Sequence, residues 1–249
     1  MGVRLTVIGC AGSFPGPHSP ASCYLVEHED HRIVLDLGNG SLGALQRYAD
    51  LDSLDAVALS HLHADHCLDL CGLYVFSRYH PDGPRERVPV FGPSGTAARM
   101  AAAYDMPVDP GMSTAFDFRD YSAPVDIGPF QITTARVRHP VEAYALRVEA
   151  GGRTLVYSGD TGPTPVLAEL AAGADLALFE ASLLDGREAP DVHMTARDAG
   201  TLAAEADVRR LVLTHLVPWH DPRTSYEEAR EAFAGPLSVA ESGLVIDLA

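Results

Sequence analysis

The segment Ser60-His61-Leu62-His63-Ala64-Asp65-His66 puts three imidazoles and a carboxylate within six positions, between the apolar run Ala56–Leu59 and a stretch of helical spacing. Alternate residues of an extended segment point the same way, so His61 and His63 can face one ion. The turn into the helix lets Asp65 and His66 face a second. Imidazole and carboxylate are the ligands that a borderline cation such as Zn²⁺ accepts. One or two histidines here would read as a polar loop; the full pattern at a strand end reads as a metal site.

Two ions need further donors, and other strand ends supply them. Val137-Arg138-His139-Pro140 ends one run with a histidine, and Leu211-Val212-Leu213-Thr214-His215 ends another. Leu155-Val156-Tyr157-Ser158-Gly159-Asp160 delivers an aspartate next to a glycine that permits close approach. Each residue alone has the look of a solvated or capping group. Together they converge on one sheet edge.

The elements that must position these groups follow from the apolar pattern. Strand-like runs occupy Val3–Gly9, Ser22–Glu27, Arg32–Asp36, Ala56–Leu59 and Arg87–Phe91. Helical spacing covers Ser41–Tyr48, His66–Tyr79 and Ser94–Tyr104, the last with Ser94 as its expected N-cap. A second block of strands, Phe130–Val137, Tyr144–Glu149 and Arg153–Ser158, includes a hairpin turn at Gly151-Gly152. Helices at Pro165–Ala172, Thr195–Glu205 and Ser225–Phe233 then alternate with strands at Leu176–Glu180 and Arg210–Thr214, and Gly243–Leu248 closes the sheet. Two blocks of this kind suit two sheets packed face to face with helices outside, in a single domain spanning residues 1–249.

Composition sets outer bounds. The chain has 249 residues, 47% of them hydrophobic and 21% charged, which describes an ordinary globular protein. It carries 18 basic residues, all arginine, against 34 acidic ones, a net charge of −16. A polyanion would meet net repulsion unless arginines cluster or metals intervene, which argues against a general nucleic-acid binder. The start has no basic leader and no long apolar stretch, so a cytoplasmic protein without a membrane partner is expected. Cys10, Cys23, Cys67 and Cys71 are then expected to be buried thiols rather than disulfides, with Cys67 and Cys71 packing rather than binding metal.

The pattern His-x-His-x-Asp-His … His … Asp … His resembles that of the metallo-β-lactamase-fold hydrolases, over essentially the whole chain. The resemblance implies an α/β fold, the four-layer αβ/βα sandwich of two mixed β-sheets flanked by helices. It implies two zinc ions, with manganese as the alternative metal. His61, His63 and His139 match the ligands of one ion, and Asp65, His66 and His215 match those of the other. Asp160 matches the carboxylate that bridges them, and Asp36 the aspartate that supports the site from behind. Within the superfamily the chain is similar to the ribonuclease Z branch of phosphodiesterases. That similarity lies in Gly9-Cys10-Ala11-Gly12-Ser13-Phe14-Pro15, in His193-Met194-Thr195-Ala196 and in Glu180 of Phe179-Glu180-Ala181-Ser182. The match gives Asp65, His193 and Glu180 catalytic roles.

Such a site suits phosphodiester hydrolysis. A cation pair lowers the pKa of a water toward about 7 and stabilises phosphoryl charge. Asp65 can orient that water or take its proton, and His193, held by Glu180, can protonate the leaving alkoxide. Ribonuclease Z carries a long arm that grips transfer RNA between the motifs matching His139 and Asp160. Here only 21 positions separate those residues, enough for one hairpin. The chain is also similar to short bacterial cyclic-nucleotide phosphodiesterases without the arm, in Ser19-Pro20-Ala21-Ser22, in residues 42–47 and in Glu142-Ala143-Tyr144. Hydrolysis of a 3′,5′-cyclic nucleotide (cAMP or cGMP) to the 5′-monophosphate is therefore the expected reaction. No stable nucleic-acid partner is expected, and a homodimer is. Arg136, Arg138 or Tyr144 could contact phosphate or base, His220 and His18 read as loop residues, and Trp219 either lines the pocket or packs. The rival readings are a ribonuclease Z-type tRNA 3′-end endoribonuclease, an acyl hydrolase (lactonase, thioesterase or β-lactamase-like) and a metal-stabilised binding module.

Overall fold

A computed structural model describes every residue except Met1, Arg187, Glu188, Pro190 and Ala249. The chain opens with β1 (Val3–Gly9), β2 (Cys23–His28) and β3 (His31–Leu35), then α1 (Ser41–Leu45), β4 (Ala56–Ala58), α2 (Ala64–Cys67), α3 (Leu70–Tyr79), β5 (Val88–Gly92), α4 (Thr96–Ala103) and β6 (Phe116–Asp120). It continues through β7 (Val125–Ile127), β8 (Phe130–Arg136), β9 (Tyr144–Ala150), β10 (Arg153–Tyr157), α5 (Pro165–Ala171), β11 (Leu176–Glu180), α6 (Ala196–Glu205) and β12 (Leu211–Thr214). It ends with α7 (Pro222–Ala232), β13 (Leu237–Val239) and β14 (Val245–Leu248).

Two seven-stranded mixed sheets form, in the orders β14-β1-β2-β3-β4-β5-β6 and β13-β12-β11-β10-β9-β8-β7. The last strand returns to pair antiparallel with the first, Val3 opposite Leu248. Alternation along the strands explains the layers. Leu5, Val7, Tyr24, Ile33 and Leu35 of one sheet meet Ile132, Leu146, Leu155, Tyr157 and Leu178 of the other in a shared core. The opposite faces bury Ile8, Leu25, Val34 and Val57 against α3 and α4, and Val156, Phe179 and Leu213 against α5, α6 and α7. This is the α/β four-layer sandwich expected from the sequence.

Some local expectations are corrected. The helix at Ser94 begins at Thr96 with Gly95 as N-cap, because Gly95 takes φ +83° and Ser94 Oγ instead donates to Glu142 Oε2 at 2.9 Å. The helical stretch at His66–Tyr79 is two helices broken at Leu68-Asp69, since the Asp69 carboxylate turns back to accept the Leu42 amide at 2.7 Å. Three strands, β6, β7 and β13, were not read from the sequence. All are short and at or next to a sheet edge. All four cysteines are free thiols, three of them buried. Cys67 packs beneath the first sheet, its Sγ donates to the His63 carbonyl at 3.2 Å, and burial pushes its thiol up to about 12. No helix among the described residues is long and apolar enough to cross a membrane.

Candidate metal centre

The donors gather at one rim of the sandwich, at strand ends and, for Asp65 and His66, in the short helix α2 that follows β4. β4 runs into Ser60 and His61, β8 into His139, β10 into Asp160, and β12 into His215. Glycine makes two of the approaches possible. Gly159 takes φ +58°, and a Cβ there would come within 2.8 Å of Ser60 Cβ. Gly12 lies so close to the strand-end turn that a Cβ would stand 2.3 Å from the His215 carbonyl oxygen. Asp36 and His215 both adopt φ +56° directly after their strands. Backbone in this region is costly for residues with a Cβ, on the order of 1–3 kcal/mol, and turns each side chain sharply inward.

The donors gather into two sets. His61, His63, His139 and Asp160 bring ligating atoms within 4.8 Å of one another, as do Asp65, His66, Asp160 and His215, so Asp160 belongs to both. His61 Nε2 lies 3.0 Å from His63 Nδ1, which lies 3.2 Å from His139 Nε2. In the second set His66 Nε2 is 3.2 Å from His215 Nε2 and 3.2 Å from Asp160 Oδ1.

Hydrogen bonding on the far side of each ring decides which nitrogen carries the proton. Asp36 Oδ2 accepts from His66 Nδ1 at 2.7 Å, and the Val192 carbonyl accepts from His139 Nδ1 at 3.0 Å. Ser182 Oγ donates to the His215 carbonyl at 2.9 Å, so it accepts from His215 Nδ1 at 2.8 Å. Ser60 Oγ donates to Asp36 Oδ2 at 2.7 Å, so it accepts from His61 Nδ1 at 3.0 Å. All four rings therefore turn Nε2 inward: the His66 and His215 lone pairs face each other at 3.2 Å, and those of His61 and His139 both face His63 Nδ1. Asp160 Oδ1 is buried without a hydrogen-bond partner. Facing lone pairs and an orphaned carboxylate oxygen are what a cation resolves, and imidazole with carboxylate is the donor chemistry of zinc and its neighbours. The residues fit two divalent ions.

The local field agrees. Burial works against the Asp160 carboxylate, but His215, His66 and His61 overcome it and hold Asp160 well below the usual carboxylate range. Asp65 is likewise held low by His215 and His66 against its burial. Burial and neighbouring histidines push His61 down, and burial does the same to His63 and His139. His66 moves the other way: Asp160 and Asp36 outweigh its burial and favour positive charge at this place, which either a proton or a cation at Nε2 supplies.

Asp36, the residue expected to support the site from behind, is fully buried. It accepts from the Ser60 amide at 2.6 Å, from Ser60 Oγ at 2.7 Å and from Tyr157 Oη at 2.7 Å, besides His66. Ser60, Ser182, Tyr157 and the Val192 carbonyl escaped the sequence reading. Ser60 and Ser182 do adjoin His61 and Glu180 closely, but a serine next to a motif is no signal by itself.

Glu180 and His193 are brought together as expected. Glu180 is buried; its Oε2 accepts from the Ser182 amide at 3.1 Å, and its Oε1 accepts from the Thr161 amide at 2.9 Å and also faces His193 Nδ1 at 2.8 Å. Burial disfavours the charged imidazole, but the Glu180 charge and hydrogen bond prevail and push His193 up to about 9. The His193 ring centroid is 5.7 Å from that of His139 and 5.6 Å from that of His215, so it stands over both donor sets. Of the residues offered as contacts, Arg136 and Arg138 are exposed and Tyr144 is half-buried. Arg138 faces Asp191 at 3.8 Å, Tyr144 Oη donates to Glu142 at 2.8 Å, and Arg136 lies at the end of β8. His18 is exposed and His220 half-buried, and neither belongs to a donor set.

Fold and donor sets together define a hydrolase of the metallo-β-lactamase fold built for divalent metal ions. A family model described as the beta-lactamase superfamily domain matches residues 31–216, and the chain belongs to that superfamily. An uncharacterized protein of Mycobacterium leprae is 46% identical over 254 aligned positions, covering 99% of this chain and 89% of that one. The probable metallo-hydrolase YhfI of Bacillus subtilis is 31% identical, covering 98% and 99%. The crystal structure of YhfI superposes with a TM-score of 0.90 at 29% identity, over 99% of this chain and 100% of that one. Ribonuclease Z of Myxococcus xanthus is 29% identical over 304 aligned positions, covering 99% and 98%.

Proposed function

We propose that the chain is a dinuclear zinc phosphodiesterase that hydrolyses a small phosphodiester, a 3′,5′-cyclic nucleotide such as cAMP or cGMP, to the 5′-monophosphate. The observation that carries this reading is the Glu180–His193 pair standing over two donor sets that share Asp160. When bound, the two ions lower the pKa of a water toward about 7 and stabilise charge on the phosphoryl oxygens. His61, His63 and His139 would hold one ion and Asp65, His66 and His215 the other, with Asp160 serving both.

The chain's own residues divide the remaining work. Asp65, kept ionised by His66 and His215, orients the attacking water and accepts its proton. His193, kept protonated through neutral pH by Glu180, donates to the departing alkoxide oxygen. A poor leaving group of this kind is what a phosphodiester presents and what an activated acyl ester lacks, which favours a phosphodiester over an acyl substrate.

Size and charge favour a small substrate. The residues between His139 and Asp160 form only the β9–β10 hairpin, and the chain carries a net charge of −16. The ribonuclease Z relative aligns over 304 positions against 249 residues here, so it carries segments this chain does not have. The same relative supports a second reading, tRNA 3′-end cleavage. No stable nucleic-acid or membrane partner is part of the proposal, and the working assembly is a homodimer.

Turnover of cAMP, cGMP and a pre-tRNA by zinc-loaded protein tests the choice. Formation of the 5′-monophosphates with the pre-tRNA intact is the expected result. Cleavage of the pre-tRNA alone would overturn the small-diester reading.

A further inference from the structure

Two loops are stitched together beside His215. Ala11 forms a bridge to Leu216, the Gly12 amide donates to the Leu216 carbonyl at 2.9 Å, and the Ser13 amide faces His215 Nε2 at 3.4 Å. The next residue of the first loop is Phe14, and four residues beyond His215 the second loop carries Trp219. Their ring centroids are 5.2 Å apart, tilted by 35°. Both rings are open to solvent, Trp219 with 68% of its surface exposed and Phe14 with 39%.

Water exposure of two large aromatic rings wastes apolar area that a core would use. The loops that carry the pair are hydrogen-bonded on either side of it. Gly16 donates to the Ser19 carbonyl at 2.9 Å, His220 to the Val217 carbonyl at 2.9 Å, and Asp221 caps α7 through the Arg223 amide. An exposed aromatic pair next to a site proposed for phosphate esters matches the platform on which nucleobases stack, since every base offers a π-face.

We propose that Phe14 and Trp219 stack the base of a nucleotide substrate and so favour nucleotides over phosphate esters that have no base. This rests on the nucleotide phosphodiesterase reading above and extends it to residues that reading does not use. Stacking tolerates differences in base edges, so both purine cyclic nucleotides are accepted. Neither ring touches the reacting atoms, so the pair acts on KM and leaves kcat in place.

Trp219 is the only tryptophan in the chain, so its fluorescence reports directly on the platform. Titration of zinc-loaded protein with 5′-AMP is expected to quench that fluorescence, while ribose 5-phosphate, which has the phosphate without the base, is expected not to. Trp219→Ala and Phe14→Ala are each expected to raise KM for cAMP about tenfold with kcat kept within about twofold, and Trp219→Phe to restore most of the loss. Turnover of cAMP with no quenching by 5′-AMP and an unchanged KM in Trp219→Ala would overturn the platform. So would a KM effect confined to Arg99→Ala, in the cavity of about 380 Å³ beside His63. Absence of cyclic-nucleotide turnover by the unaltered protein would instead overturn the reading on which the platform rests.

Discussion

The two donor sets share Asp160 and are built differently around it. Asp65, His66, Asp160 and His215 are all buried, and His66 and His215 are each anchored by a buried side chain, Asp36 and Ser182. In the other set only His61 is anchored in this way, through Ser60. His139 is half-buried and leans on a backbone carbonyl, and the exposed His63 has only the neighbouring histidines on its ring. One half of the site is therefore part of the hydrophobic sandwich and the other is laid on its rim. The difference leads to an expectation: the inner set should hold its ion more tightly than the outer one.

The largest effect that could break this comparison concerns a group belonging to neither set. His193→Ala is expected to lower kcat by about 10²–10⁴-fold with metal content unchanged, measured by steady-state hydrolysis and elemental analysis. Loss of metal together with activity would make His193 a ligand instead of an acid. The sign of its pH dependence follows from its raised pKa. The imidazolium is present below about 9 and is lost as pH rises through that value, so activity falls on the alkaline side. Glu180→Gln removes the partner that raises the pKa and is expected to move the alkaline limb to lower pH.

Asp36→Ala comes next. It leaves the Ser60 amide, Ser60 Oγ, Tyr157 Oη and His66 Nδ1 without their acceptor in a fully buried place. A zinc affinity lower by about 10–100-fold is expected at the inner set, with a clear fall in Tm of the metal-free protein. His63→Ala is the contrast. It should remove one ion and leave the metal-free Tm within about 1–2 °C, since surface changes away from special features are worth only about ±0.5 kcal/mol. Stepwise chelation sharpens the same point: the outer ion is expected to leave first, at a chelator concentration roughly tenfold lower, read by competition with a zinc indicator. Ser182→Ala should have the smallest effect, a few-fold weakening of inner-site affinity, because His215 keeps its strand-end position.

Much of this site is legible in the sequence because metal chemistry restricts its alphabet. Only imidazole, carboxylate and thiolate serve, so His61, His63, Asp65, His66, His139, Asp160 and His215 stand out at the ends of apolar runs. Asp36, Glu180 and His193 were found by resemblance alone. Ser60 and Ser182 were invisible for a physical reason. A hydroxyl that hands a proton from a histidine to an acceptor does a job that any polar atom at that point in space could do, and spacing carries no trace of it. The Val192 carbonyl is backbone and has no signature at all. In the fold, β1, β10 and β11 were read almost to the residue because each carries a buried apolar run. The edge strands β7 and β13, three residues each, lie below what alternation can reveal, and Gly95 displaced Ser94 as a cap because its left-handed backbone starts the helix one residue later.

The claim most exposed to direct test is that Asp160 joins the two donor sets into one dinuclear site. Zinc content by elemental analysis, taken with hydrolysis of bis(p-nitrophenyl) phosphate, should give two equivalents and turnover for the unaltered protein. For Asp160→Ala it should give one equivalent or fewer and no turnover. Full activity at a single equivalent, or an Asp160→Ala protein that keeps both ions and its rate, would contradict the account.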